Sequence, residues 1–308
     1  MIAYPLTLHA ARLIGGVVGD ARPGLGFDLS QFGGGLSGAA AKAALWSRFL
    51  QRSGLRLIDL DDRPALLRPL HHQRPLDATL YTAVPVPPGT DLRGAITSPP
   101  GADEVSPLAL CFLAGTRIAT PEGERAVEDL RPGDRVCTLR GDTAPLVWTS
   151  ISDVSPEDLD RAPNRRPIVI RANALSPGLP RRDVQVSAQH RVVVTDPDGF
   201  EFLASARHLM MAGMPGVEAW RDQSGFQLVH VACARHRILL AEGAPMESFF
   251  PGPQAIRALP MAKRLSLFSC FPSLLRGINP MEPARPFIRH RDVAAILRRR
   301  TLLARAAG

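Results

Sequence analysis

Cys111-Phe112-Leu113-Ala114-Gly115-Thr116-Arg117-Ile118-Ala119-Thr120-Pro121 opens the stretch that decides how this chain folds, and it continues to Val127-Glu128-Asp129-Leu130-Arg131-Pro132-Gly133-Asp134. A cysteine leads. A Gly-Thr turn, a short strand, a Pro-Glu-Gly turn, an amphipathic link and a Pro-Gly-Asp turn follow in order. Two later segments accompany it. One is Val184-Gln185-Val186-Ser187-Ala188-Gln189-His190-Arg191-Val192-Val193-Val194. The other joins Val229-His230-Val231 to Arg235-His236-Arg237-Ile238-Leu239-Leu240-Ala241-Glu242-Gly243-Ala244-Pro245-Met246-Glu247-Ser248-Phe249.

The residues around these segments read as all-β. Short runs rich in β-branched residues lie at Arg135–Leu139, Leu146–Ser150, Pro167–Arg171, Asp183–Ser187, Arg191–Thr195, Gln227–Cys233 and Ile238–Ala241. Turn chemistry separates them: Pro132-Gly133-Asp134, Arg140-Gly141-Asp142, Ser176-Pro177-Gly178 and Asp196-Pro197-Asp198-Gly199. Short strands with frequent Gly/Pro turns predict a sandwich-like or barrel-like fold.

The three segments, in this order, resemble the blocks of a Hint domain, the self-processing module shared by hedgehog proteins and inteins. The Glu-Gly-Ala-Pro-x-Glu-Ser-Phe ending and the later Ala284-Arg285-Pro286 are similar to a bacterial Hint subgroup. The resemblance covers Cys111 to Leu297 and leaves residues 1–110 untouched. It implies a mainly β fold, a pseudo-symmetric horseshoe, over residues 111–252. It also implies that Cys111 attacks the peptide bond preceding it, Leu110–Cys111. His190 matches the second block's histidine, which implies a hydrogen bond to the scissile nitrogen and protonation of the new amine. Ser187 stands where the family has threonine and keeps the hydroxyl. His230 falls where inteins often carry an acidic residue or a cysteine, a place from which protons are relayed to or from Cys111. His236 takes the place of the closing block's other histidine, flanked by Arg235 and Arg237. No metal or organic cofactor is implied.

The residue types suit that chemistry. An amide is a poor electrophile and a thiol a weak nucleophile at its free pKa, so the thiolate must be favoured and the departing nitrogen protonated. Attack by Cys111 on its own preceding carbonyl closes a five-membered ring, so proximity is covalent and the fold supplies only orientation. Splicing asks for more: an asparagine at the domain's end, usually after a histidine. Here that place holds Glu247-Ser248, and the chain's three asparagines, Asn164, Asn173 and Asn279, lie elsewhere. The expectation is therefore a thioester at residue 111 followed by cleavage or transfer of the N-terminal segment, without full splicing. The expected partners are the protein's own N-terminal segment as substrate and water or a small nucleophile as acceptor. His208 and His71-His72 read as structural, and Cys137 and Cys233 as small buried hydrophobes.

Outside the β region the chain divides into a segment of unknown fold (1–83), a Pro-rich linker (84–110) and a basic helical tail (253–308). A helix is expected over Ser37–Arg52, capped by Ser37 and ended by Gly54, and a strand over Leu55–Leu60. Pro85, Pro87, Pro88, Pro99 and Pro100 predict an extended linker before Cys111. Tail helices are expected at Gln254–Phe268 and Arg291–Ala306. The net charge of +8 is unevenly placed. Lys plus Arg against Asp plus Glu is 10 to 9 over residues 1–110, 16 to 18 over 111–252, and 11 to 2 over 253–308. The tail can thus meet an anionic surface, or an acidic surface of the same protein. No aromatic residues interleave with its arginines, so no specific nucleic acid is expected. Four scattered cysteines make neither a disulfide framework nor a metal-ligand spacing. No signal peptide or membrane span is evident, which predicts a cytoplasmic protein, or one exported without a cleavable signal. Two other readings compete: a degenerate Hint fold serving as a structural or binding module, and a basic-tailed nucleic-acid-binding protein with the β domain as scaffold.

Overall fold

The computed structural model describes residues 5–15, 17–28, 55–60, 63–71, 74–82, 84–97, 110–222 and 224–306. They form two compact units: Met1–Glu104 with Leu259–Pro280, and Val105–Ala258 with Met281–Gly308.

In the first unit, β1 (Pro5–Ile14), β2 (Val17–Asp28), β3 (Arg56–Leu60), β4 (Arg63–His71) and β5 (Arg74–Thr82) make an antiparallel sheet of order β2-β1-β5-β4-β3. Leu13, Val18, Ile58, Leu67 and Leu80 form its core. The N-terminal region was expected to be partly helical. Its described residues are mostly strand, and the expected helix over Ser37–Arg52 lies outside the described residues. His71 ends β4, and His72 also lies outside. The proline-rich segment is tied down further than its composition suggests. Val18 N–H donates to Thr90 O (2.9 Å) and Gly89 N–H to Val18 O (2.7 Å). A short helix over Arg93–Thr97 then brings Leu92 and Ile96 into the sheet's core. Prolines remove donors only at their own positions, so Gly89 and Thr90 remain able to pair. The expected tail helix from Gln254 to Phe268 is broken at Pro260. Pro253–Arg257 and Met261–Cys270 are separate helices, with Pro260 at the second N-cap, where its missing N–H costs nothing.

The second unit contains two antiparallel sheets. The first comprises β6 (Phe112–Leu113), β9 (Arg135–Cys137), β10 (Thr143–Val154), β11 (Ile168–Ile170), β12 (Val184–Val186), β15 (Val217–Ala219) and β16 (Phe226–Cys233). Their order is β15-β11-β12-β6-β16-β10-β9. The other comprises β7 (Arg117–Thr120), β8 (Gly123–Ala126), β13 (Arg191–Thr195), β14 (Glu201–Ser205), β17 (Ile238–Ala241) and β18 (Ala244–Glu247), in the order β14-β13-β18-β17-β7-β8. This is the mainly β fold expected, and its open sheets are consistent with a horseshoe. Phe112, Ile118, Val186, Val192, Val229 and Met246 pack in one core shared by both sheets.

Two devices fix the site's surroundings. The β17–β18 hairpin closes through Glu242 (φ 48°) and Gly243 (φ 78°), both left-handed, as a two-residue hairpin turn of type I′ requires. A glutamate in that conformation is held by its own carboxylate: Arg117 N–H donates to Oε1 and Arg182 Nε to Oε2, both at 2.7 Å. The second device is the tail. Helix His290–Ala306 inserts Val293 into the shared core, with Ile288, Ile296 and Leu297 packed beside it. Leu203 N–H donates to Pro286 O and Ile288 N–H to Leu203 O, which adds the tail to the edge of β14. Part of the tail's positive charge is spent here: Arg285 pairs with Glu201 (2.7 Å), Arg299 with Asp198 (2.8 Å), and Arg300 donates to Thr195 O.

Candidate functional site around Cys111

Sheet register brings the site together. β6 pairs with β16 through Phe112↔Val229 and Leu113↔Leu228, and with β12 through Val186↔Phe112. One step back along β6, Cys111 therefore lies level with His230 on one side and Ser187 on the other. Side chains alternate across a sheet, so the core-facing Phe112, Val186 and Val229 send Cys111 and His230 to the opposite face.

The geometry follows. Cys111 Sγ lies 3.0 Å from His230 Nε2, with both residues buried. The nitrogen of the Leu110–Cys111 peptide donates to Ser187 Oγ at 3.0 Å, and Ser187 N–H donates back to Cys111 O at 2.9 Å. Leu110 is 5 % exposed and Cys111 1 %, so the peptide bond joining them is withdrawn from bulk water. Rings hold His230 in place: Trp148 and Phe249 have their centroids 5.7 and 5.4 Å from it, and Phe249 N–H donates to Val231 O. Ser150, opposite His230 on β10, is also buried, and its hydroxyl has no hydrogen-bond partner.

His190 sits one turn beyond β12, its N–H donating to Ser187 O. The hydrogen bond expected from its ring to the scissile nitrogen is absent; Ser187 takes that nitrogen instead. The reason is the pairing of β12 with β6, which puts residue 187 itself beside residue 111. The His190 ring packs on Phe112, centroids 4.3 Å apart, and neither ring nitrogen has a hydrogen-bond partner. Burial pushes its pKa down to about 4, and Arg191 and His236 add to that. Glu247 and the adjacent backbone of Cys111 pull in the other direction. At neutral pH the imidazole is uncharged. With its pKa held that low, it resists taking up a proton.

His236 and Glu247 make a separate buried group behind His190. Glu247 Oε1 accepts from Arg191 N–H at 2.9 Å, and Oε2 lies 3.3 Å from His236 Nε2. His236 Nδ1 accepts from Ala284 N–H at 3.0 Å, and the Arg191 guanidinium lies over the Phe287 ring at 4.2 Å. The tail thus reaches the backbone next to His190 through three side chains, a link the sequence did not signal. Ser248 is locked as firmly: its Oγ accepts from Arg237 N–H and its N–H donates to Arg237 O. His236 does not contact Cys111. His208 lies in the helix Ala206–Met211 with its ring 6.3 Å from that of His290, away from these groups. Burial pushes the Cys233 thiol up to about 12, which keeps it protonated and inert. None of the four cysteines is in a disulfide. Among the described residues no cluster of three or more His, Cys, Asp or Glu is arranged to hold a metal, and no helix is long and apolar enough to cross a membrane.

Residues 110–253 match the family model described as the Hint domain. Solved structures similar to this chain include the MchDnaB-1 intein, at 15% identity over 44% of this chain and 98% of that one, with a TM-score of 0.28. The bacterial intein-like domain from Clostridium thermocellum is 11% identical over 44% of this chain and 96% of that one, with a TM-score of 0.29. A DnaB intein from Synechocystis is 9% identical over 45% and 98%, with a TM-score of 0.29. No curated protein gave a match.

Proposed function

Since residues 110–253 of this chain are a Hint-type domain, we propose that it processes itself at Leu110–Cys111 by an N–S acyl shift, then cleaves or transfers the N-terminal segment without splicing. The observation that carries this reading is the 3.0 Å approach of Cys111 Sγ to His230 Nε2, with the scissile nitrogen held by Ser187. His230 takes the thiol proton. The thiolate attacks the Leu110 carbonyl carbon, a C–S bond forms, and the C–N bond of the peptide breaks. The nitrogen gains a proton and becomes the α-amine of Cys111, while the Leu110 acyl group rests on Sγ as a thioester. Water or a small nucleophile then takes the acyl group and returns the thiol.

His190 starts neutral. It serves as the acid only after the proton that His230 took from the thiol is passed on, so the proton lost by Sγ is the one the amine gains. Ser187 keeps the nitrogen aligned throughout. The absence of splicing rests on Glu247 and Ser248. Neither has a side-chain amide to cyclise, and both are engaged in hydrogen bonds that hold the closing strand. The residual charge of the tail supports at most salt-sensitive contact with anionic surfaces, and no specific nucleic acid is proposed as a partner.

Trapping tests the reading. Hydroxylamine added to wild type should convert the thioester to a hydroxamate on residues 1–110 and free a chain that begins at Cys111. Cys111→Ala should give neither product. A hydroxamate mapped to a different residue, or none under any condition that leaves the domain folded, would overturn it.

A further inference from the structure

Leu259–Pro280 lies on the C-terminal side of Leu110–Cys111, yet it belongs to the same compact unit as Met1–Glu104. The chain leaves the Hint-containing unit after Ala258, contributes this segment to the N-terminal unit, and returns at Met281. The segment is not a passive strap. Its helix Met261–Cys270 and the 3-10 turn Pro272–Arg276 bury Leu267 (0 % exposed), Phe268 (3 %), Leu274 (5 %) and Leu275 (7 %). None of these joins the core shared by the two Hint sheets, whose buried members stop at Met246 and resume at Val293.

We propose that cleavage at Leu110–Cys111 leaves its two products together as a non-covalent pair, with Leu259–Pro280 of the C-terminal product folded into the unit of the N-terminal product. This rests on the self-cleavage reading above. Two features of the chain favour it. Separation would expose the surface that this segment buries as part of the N-terminal unit, which opposes dissociation. The segment is also anchored at both ends, since Ala258 and Met281 belong to the Hint-containing unit. It therefore cannot leave that unit when the N-terminal unit loses its covalent link. Processing then converts one chain into a two-chain protein of unchanged composition. Release of the N-terminal segment becomes a second, separately controlled event.

Gel filtration of processed wild type tests this. Residues 1–110 and 111–308 should elute in one peak under native conditions and part in concentrated urea. Two native peaks would overturn the proposal while leaving self-cleavage intact. A second measurement does not depend on self-cleavage: residues 1–110, carrying an affinity tag, are co-expressed with a separate chain 111–308 bearing Cys111→Ala. The two should co-purify on the tag, and Leu267→Asp with Phe268→Asp in the second chain should abolish that while the Hint-containing unit keeps its β circular dichroism. Recovery of the tagged piece alone from the unsubstituted pair, or undiminished co-purification with the double substitution, would contradict the proposal.

Discussion

Cys111 is gripped from two sides, and each side governs a different part of its reactivity. His230 meets the thiol, and Ser187 meets the nitrogen of the Leu110–Cys111 peptide. His230→Gln should slow thioester formation roughly 10²–10⁴-fold, as expected for a positioned proton acceptor. Ser187→Ala removes one hydrogen bond worth about 1 kcal/mol and should slow it roughly fivefold, with Ser187→Thr close to wild type; single-turnover kinetics at fixed thiol concentration distinguish the two. A Ser187→Ala effect as large as that of His230→Gln would mean the hydroxyl does more than hold the nitrogen. His190 gives a pH prediction. Its folded pKa of about 4 lies below the ordinary histidine value. The unfolded chain therefore binds more protons between about pH 6.5 and 4, and stability falls as pH falls through that window. The loss attributable to His190 is about 3 kcal/mol when complete. Urea unfolding of Cys111→Ala at pH 7.5 and 4.5 should show this decline, and adding His190→Gln should flatten it. Cys111, Ser187, His190 and His230 were named in the sequence through the resemblance of three segments to the Hint blocks, and the structure places Ser187 and His230 within hydrogen-bond distance of Cys111. Which side chain holds the scissile nitrogen was not legible there. That depends on the pairing of Val186 with Phe112, a choice of register made by the whole sheet.

Among the elements, the closing hairpin and the tail helix stabilise the site from behind. Glu247 is fully buried and shared between Arg191 and His236. Glu247→Gln keeps its shape and removes its charge, so the protein should lose roughly 1.5–3 kcal/mol, the worth of a charge-assisted hydrogen bond. The same substitution removes a negative charge that favours protonated His190, so the His190 titration followed by NMR should move below about 4. An upward shift would contradict the arrangement. Val293→Asp places a charge in the shared core without a partner and should destabilise the Hint-containing unit by more than about 3 kcal/mol. A thermal midpoint unchanged by this substitution would show that the tail is an appendage. The strands at Arg191–Thr195 and Ile238–Ala241 matched their sequence patterns, because alternation and flanking turns agreed there. β1, β2, β4 and β5 were not read from the sequence. Gly19, Pro23, Gly24 and Gly26 look like breakers, but β2 is an edge strand, where they are tolerated. In β4, Pro69 pairs with Ala78 immediately before the pairing with β5 shifts register, and prolines in sheets concentrate at such irregularities.

For the molecule as a whole, the uneven charge and the division into units have one consequence in common: the C-terminal segment is part of the fold. Arg285, Arg299 and Arg300 face Glu201, Asp198 and the Thr195 carbonyl, so less of the tail's +9 is available to an outside partner than composition suggests. Sequence reading located the excess charge but could not see where it docks, because the contacts join residues about a hundred positions apart. Any binding to an anionic polymer should therefore be weak and fall steeply with salt. The central claim remains that the chain cuts itself before Cys111. The intact mass of freshly purified protein, measured under denaturing conditions after incubation with a thiol, tests it most directly. Wild type should yield a species with the mass of residues 111–308, and Cys111→Ala only the full chain. Equal cleavage in both, or an uncut wild type at every thiol concentration, would contradict the account.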